Sequence, residues 1–322
     1  MTKNPVLLLL LVYSVLSLAT LFSWHEKGTN TVTGDEPHYL VIASGIARHA
    51  SLEQTRPYKE EFKNQEISKY GLAPKDATPT PENTHAVSGP NGLFNFHNIG
   101  LPLLLALPLL VGGVIGAKLF MAAIGALVIV VVWKFTSYFS ENNSHKFWAV
   151  MAGVVSLPLI PASNQVYPDI LAGLIALTGL YWCLTAHEQR TRSHEIILAI
   201  IISFLPWLQL KFSAACIVIV LAIAIKIYVH SREYKRIATI IFIAGASCIT
   251  LMIYNHYAFG KISGPYQSGA LEISKTSLMV LFGLHFDQNQ GFLLQNPVNL
   301  IGVLALGWMY KYNRIFFCTW AL

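Results

Sequence analysis

The sequence predicts an all-α integral membrane protein, with about eight transmembrane helices and a long external first loop that carries juxtamembrane helices. Three observations predict it. Of 322 residues, 54% are hydrophobic and only 12% charged, where soluble domains carry roughly 25% charged residues. The apolar residues fall in blocks that approach or reach the about 20 residues needed to cross a bilayer. Outside the first loop, Lys and Arg collect on one side when those blocks are counted as crossings, as the positive-inside rule requires. The net charge of +6 is explained by these loops, since no basic run or basic helix face marks a nucleic-acid partner.

Met1-Thr2-Lys3-Asn4 leads into an apolar span, Pro5 to Ser23, that resembles a signal peptide. Trp24-His25-Glu26 follows as an aromatic interface edge instead of a small-residue cleavage site, so the span reads as an uncleaved helix with a cytoplasmic N-terminus. Residues 24 to 98 form one polar loop holding nine of the sixteen acidic residues. Within it, Pro37 to Ala50 reads as a helix lying on the membrane surface. Pro37 suits a first helical turn, and Tyr39, Ala43, Ile46 and Ala50 share one face. Arg56 to His97, rich in Pro, Gly, Asn and charge, reads as irregular.

Asn98 to Gly113 is apolar, short and interrupted by Pro102 and Pro108. If it crosses the bilayer, Arg190, Arg192, Arg232, Lys235 and Arg236 fall outside. If it only dips in or lies at the interface, Lys134, Lys146, Arg190, Arg192, Arg232, Lys235, Arg236, Lys311 and Arg314 all fall inside. The second arrangement obeys the positive-inside rule, so 99–113 is expected to be juxtamembrane or re-entrant. The other spans are expected at about 114–135, 147–163, 168–186, 195–209, 212–230, 237–257 and 297–310. The chain then reads as a single domain over 1–322, an external loop at 24–113 over a bundle at 114–310. Cys183, Cys216, Cys248 and Cys318 have no disulfide or zinc spacing and read as small core residues.

The strongest chemical candidate is Asp35-Glu36, in Thr33-Gly34-Asp35-Glu36-Pro37-His38-Tyr39. A carboxylate there can take a proton from an acceptor. It can equally cap the helix that begins near Pro37. Asp169, after Tyr167-Pro168, is the sole acid between Glu141 and Glu188 and stands at an outer helix end. Lys211 stands alone between Leu210 and Phe212. It can hold a lipid phosphate, pair with Asp169, or snorkel to the headgroups. His285 and Asp287 can line a pocket or bind a divalent cation, and an ordinary solvated loop explains them as well. Gly264-Pro265-Tyr266 reads as a turn. The spacing of His38, His85 and His97 defines no metal site.

In order and type, these residues resemble the GT-C superfamily of polytopic glycosyltransferases, which includes protein O-mannosyltransferases and the aminoarabinose transferases of lipid A. The likeness rests on one helix followed by an external loop that opens with Asp35-Glu36. An amphipathic helix and an apolar segment near His97 come next, and then Tyr167-Pro168-Asp169. Gly34-Asp35-Glu36-Pro37-His38-Tyr39, Leu205-Pro206-Trp207 and Phe282-Gly283-Leu284-His285-Phe286-Asp287 are most similar to an uncharacterised bacterial subgroup. Phe96-His97-Asn98 departs from the His-Pro-Pro of many relatives. The later spans and soluble domain of larger members do not follow, so a C-terminally truncated member is expected.

The resemblance implies an inverting hexosyltransferase of the cell envelope. It moves a sugar from a polyprenyl-phosphate donor to a glycan, lipid or protein acceptor, through a hydroxyl or amine. The active site would lie on the outer, periplasmic or extracellular, face of the cell membrane. Asp35 would be the catalytic base, with Glu36 and Asp169 positioning acceptor or ion. His38, Tyr39, His97, Tyr167, Lys211, Tyr266, His285 and Asp287 would line the donor and substrate site, with a divalent cation as the conceivable cofactor and membrane lipids as surroundings. The competing readings are a lipid or amphiphile transporter or flippase, and a non-catalytic subunit or enzyme remnant. A transporter needs polar groups along a path through the bilayer, whereas these gather at one face.

Overall fold

The structure, a computed structural model, describes residues 4–28, 32–155, 159–185, 191–266, 274–287, 291–295, 297–312 and 314–321. Arg190 of the charge pattern and Gln288, Asn289 and Gln290 of the 285–291 loop lie outside the described residues. The chain divides into two compact units, Met1–Gly264 and Pro265–Leu322. Among the described residues it is helical apart from one two-stranded hairpin. Four helical segments are long and apolar enough to cross a membrane: Pro5–Glu26, Gly100–Phe139, Leu210–Ser231 and Tyr234–Phe259. This is an all-α membrane protein.

In the first unit, α1 (Pro5–Glu26) starts with Pro5 in its first turn and with the Asn4 carboxamide accepting from the Leu7 amide. The first loop is built from α2 (Glu36–His49), α3 (Thr55–Asn64) and a hairpin of β1 (Ala86–Gly89) and β2 (Gly92–Asn95). Two sequence readings change here. The helix expected on the membrane surface is buried along Glu36 to Ala43, enclosed by α3 and by the start of α4 (Gly100–Phe139). The stretch expected to be irregular contains α3 and the hairpin. An ion pair and a hydrogen bond tie α2 to the α3 region: Arg48 to Glu66 at 2.7 Å and His49 Nε2 to Glu60 at 2.8 Å. The buried Glu61 carboxylate then accepts from the Ile67 and Ser68 amides and closes the turn after α3.

Helix α4 is two limbs. Gly113 has φ 58°, ψ −152°, a backbone that residues with a Cβ avoid. Gly116 lies directly against the Pro108 carbonyl. In a straight helix those positions stand about 12 Å apart along the axis, so the chain doubles back at Gly113. The limb before the turn packs Leu101, Leu105 and Leu109 onto α2 and the common core while leaving Leu103, Leu104, Leu107, Leu110 and Val111 exposed. The limb after it continues into the bundle. The boundary drawn from the sequence at 113 and this turn coincide.

The bundle continues through α5 (Asn143–Val155), α6 (Leu159–Ser163), α7 (Asp169–Leu184), α8 (Arg192–Ile202), α9 (Leu205–Leu208), α10 (Ser213–Ser231) and α11 (Tyr234–Phe259). One core joins α2, α4, α7, α8 and α10, and a smaller one seats α1 on α4 and α5. Outward faces stay apolar, as with Ile241, Phe242, Ile249 and Ile253 on α11. In water such a surface is an aggregation liability, whereas lipid accommodates it. Two ends are distinguished by contacts. At one, Asn91 of the hairpin donates to the Tyr257 carbonyl at 2.7 Å and Phe94 meets Tyr257 and Phe259, near the end of α11. At the other, Lys226 donates to the Cys183 and Thr185 carbonyls that end α7, at 2.6 and 2.5 Å, while Arg236 pairs with Glu195.

In the second unit, α12 (Lys275–Phe286) opens with reciprocal bonds between Ser274 and Ser277. It is followed by α13 (Phe292–Gln295), α14 (Pro297–Tyr312) and α15 (Arg314–Ala321).

Candidate functional site

Gly34 begins the site. Its φ of +59° is left-handed, and a Cβ there would lie 2.7 Å from the Tyr167 hydroxyl, so glycine alone fits without strain. The Tyr167 hydroxyl accepts from the Asp35 amide at 3.3 Å. The Asp35 side chain makes no capping bond to α2, so the helix-cap alternative is not what the fold adopts. Instead its Oδ1 stands 3.7 Å from His85 Nδ1 and 3.7 Å from His97 Nε2. The carboxylate is 43% exposed, open enough to meet a substrate.

Glu36 behaves differently. It is 2% exposed, and its two oxygens accept from the Val166 amide at 2.6 Å and the Thr33 amide at 3.1 Å. The buried Lys118 of α4 lies within electrostatic reach of it. Glu36 therefore pins the loop to the α6–α7 connection and is not presented to an acceptor, in place of the direct positioning role expected from sequence.

The histidines that spacing leaves scattered come together. His85 immediately precedes β1 and His97 follows β2, so the antiparallel register, Ala86 against Asn95 with Phe96 donating to the His85 carbonyl at 2.7 Å, delivers both to the open end of the hairpin. Their ring nitrogens are 3.3 Å apart. His38, from the first turn of α2, stacks on His85 with centroids 3.8 Å apart and 15° between planes. Behind it, Asn95 Nδ2 donates to the Tyr58 hydroxyl at 2.8 Å, which leaves that hydroxyl free to donate to His38 Nδ1 at 2.6 Å. Burial, helped by the neighbouring His85 and His97, pulls His38 down to about 3. Burial also takes His97 down to about 4, with Asp35 opposing and His85 assisting. Both rings are neutral at ordinary pH. Among the described residues, Asp35, His85 and His97 form a group whose ligand-type atoms lie within 4.8 Å of one another.

Tyr39 links this cluster to the bundle. Its ring lies 4.7 Å from His97 and 6.4 Å from Tyr167, and its hydroxyl accepts from Gln209 at 3.1 Å. Two residues beyond Gln209, Lys211 Nζ pairs with Asp169 at 2.8 Å. Of the alternatives open for Lys211 in the sequence, this is the arrangement adopted. Burial raises the Tyr167 hydroxyl, and the charges of Glu36, Asp35 and Asp169 add to that against its bond to the Asp35 amide. Below Asp169, a cavity of about 400 Å³ runs between α4, α5, α6 and α7, lined by Val128, Val132, Val150, Val154, Leu159 and Ile170.

No family model, curated protein or solved structure matches the chain.

Asp35, Glu36, His38, Tyr39, His97, Tyr167, Asp169 and Lys211 gather at one end of the first unit. Tyr266, His285 and Asp287 belong to the second unit. There, burial raises the Tyr266 hydroxyl, and His285 Nδ1 meets the Leu281 carbonyl of its own helix at 2.8 Å, with Asp287 just past the helix end. Sequence reasoning set His85 aside with the other scattered histidines and missed Tyr58, Asn95, Gln209 and Lys118. A lysine in an otherwise uncharged apolar run was the one available signal, at Lys118; the others become visible only once strand register and helix packing are known.

Proposed function

We propose that this chain is a membrane glycosyltransferase of GT-C type, moving a sugar from a polyprenyl-phosphate donor to an acceptor hydroxyl or amine at the outer face of the membrane. The observation that carries the reading is the convergence of an open carboxylate, Asp35, with a second acid–base pair, Asp169–Lys211, across Tyr39 and Tyr167. The apolar cavity of about 400 Å³ that ends at Asp169 supports it, being of a size for lipid chains.

Asp35 accepts the acceptor proton as the acceptor oxygen or nitrogen bonds to the sugar's anomeric carbon. The bond from that carbon to the phosphate oxygen breaks, and its electron pair leaves with the polyprenyl phosphate. Lys211 exchanges Asp169 for that phosphate and stabilises the departing charge. A single displacement inverts the anomeric centre. Tyr167 walls the sugar site with the buried Tyr39 and His38 backing it, Glu36 holds the loop, and the prenyl chain lies along α4 and α7.

About eight spans are proposed, with α5–α6 and α8–α9 each crossing as a broken helix and the N-terminus cytoplasmic. The distribution of Arg192, Arg232, Lys235 and Arg236 around the α7–α8 and α10–α11 junctions supports that orientation. Detergent-purified protein given a labelled polyprenyl-phosphate sugar is expected to transfer label, and Asp35→Asn to abolish transfer. Equal rates for the two would remove the proposal.

A further inference from the structure

We propose that Asp35, His85 and His97 form a binding site for one divalent transition-metal ion of the zinc class, with its fourth position open to an oxygen ligand. The separations argue for it first. Asp35 Oδ1 is 3.7 Å from each imidazole nitrogen, too long for a hydrogen bond, and the nitrogens are 3.3 Å apart. Zinc–nitrogen and zinc–oxygen bonds of about 2.0–2.2 Å in a tetrahedron put ligands about 3.3–3.6 Å from each other. The three separations therefore already lie near the edge lengths of such a tetrahedron, with the two imidazoles sharing one hydrogen bond at 3.3 Å that metal binding would displace and the carboxylate beyond hydrogen-bond reach of both.

The donor set is the second argument. Two imidazoles and one carboxylate suit zinc and its neighbours, and a site with three protein ligands keeps a position for water or substrate. The third argument is support. His38 holds the His85 ring by stacking, Tyr39 lies against His97, and Asn95 both accepts from the His97 amide at 2.9 Å and anchors Tyr58 behind His38. Outer partners of this kind fix ligand rings in metal sites. One carboxylate and two neutral imidazoles leave a bound dication with net charge +1, which favours an anionic oxygen, from a phosphate or a deprotonating hydroxyl, in the open position. This site stands whether or not the chain transfers sugar.

The test uses the full chain, purified in detergent, stripped with chelator and titrated with Co²⁺ and then Zn²⁺. One Co²⁺ per chain with the intense visible bands of a four-coordinate site is expected, displaced by Zn²⁺. His85→Ala and His97→Ala should each weaken binding by more than the about 10–100-fold that outer partners cost, and His38→Ala by that smaller amount. His230→Ala, whose imidazole meets the Lys226 carbonyl of its own helix, should bind as the parent does. A parent chain that binds no Co²⁺ or Zn²⁺ overturns the proposal by itself, even where a variant fails to fold. So does undiminished binding by a folded His85→Ala/His97→Ala double variant. A chain that transfers sugar but binds neither Co²⁺ nor Zn²⁺ would leave the transferase reading standing and remove this one, and a chain that binds metal but transfers no sugar would do the opposite.

Discussion

At the α7–α8 and α10–α11 junctions, charge is neutralised by charge. Glu195 is buried and pairs with Arg236, which also reaches Glu233 at 2.6 Å, and Lys226 is spent on two carbonyls. At the opposite end, Asp35, His85 and His97 face one another at 3.3–3.7 Å with no close pairing between carboxylate and imidazole. Both places put costly groups at or near the membrane region, where they persist only with a structural or functional reason. At the first the reason is visible in the pairing itself. At the second the imidazoles share one bond at 3.3 Å and the carboxylate stands beyond hydrogen-bond reach of both, an arrangement open to a ligand. Charge reads as structure where it is buried with its partners in place, and as chemistry where its geometry is held by neighbours but left open to solvent.

Substitutions can break or sharpen that contrast. The largest effect is expected from Asp35→Asn, which should cut transfer by about 10²–10⁴-fold with little change in melting, because the side chain makes no capping bond and is 43% exposed. Glu195→Ala should do the reverse. It removes the buried partner of Arg236, leaving the more exposed Glu233, and costs about 3 kcal/mol, seen as a fall in melting temperature, while the surviving folded fraction keeps its specific activity. If it abolished specific activity instead, the division between the two ends would fail.

Smaller effects probe the supports of the open site. Tyr58→Phe removes the hydroxyl between Asn95 and His38 and should cost about 1–3 kcal/mol, with transfer falling as the His85 ring loosens. Gly34→Ala meets both a left-handed backbone and the Tyr167 hydroxyl, and should cost about 1–2 kcal/mol while lowering kcat, since it moves Asp35. Least of all on stability, Lys211→Met breaks a pair whose partners are 57% and 55% exposed, worth under about 1 kcal/mol. Its signature should be a raised KM for the lipid-linked donor, measured by varying donor at fixed acceptor.

Much of the scaffold was legible in the sequence because bilayer crossing is a constraint on length and apolarity. The runs at α1, α10 and α11 and the limb after Gly113 announce themselves, and Pro102, Pro108 and shortness set the preceding limb apart. Asp35 and Asp169 stood out as acids beside apolar spans, and the Asp169–Lys211 pair was among the alternatives. The histidine cluster was not legible. His85 and His97 meet because two four-residue strands pair in one register, and a slip of one residue would turn their side chains to opposite faces. Burial of α2 was hidden for a related reason: its one-sided apolar pattern gives no sign of α3, a polar helix that covers its other side. Glu36 looked like half of a catalytic pair because adjacency in sequence says nothing about direction. On a helix start, neighbouring side chains point about 100° apart, and here one faces the site while the other is sunk in the frame.

The account rests on Asp35 as the open carboxylate of a transfer site. Its most direct test is the initial rate of label transfer from polyprenyl-phosphate mannose and from the aminoarabinose analogue, by parent and Asp35→Asn proteins purified alike and matched in melting temperature. The account predicts transfer by the parent from one of these donors and background for Asp35→Asn. Equal transfer by both proteins would contradict it.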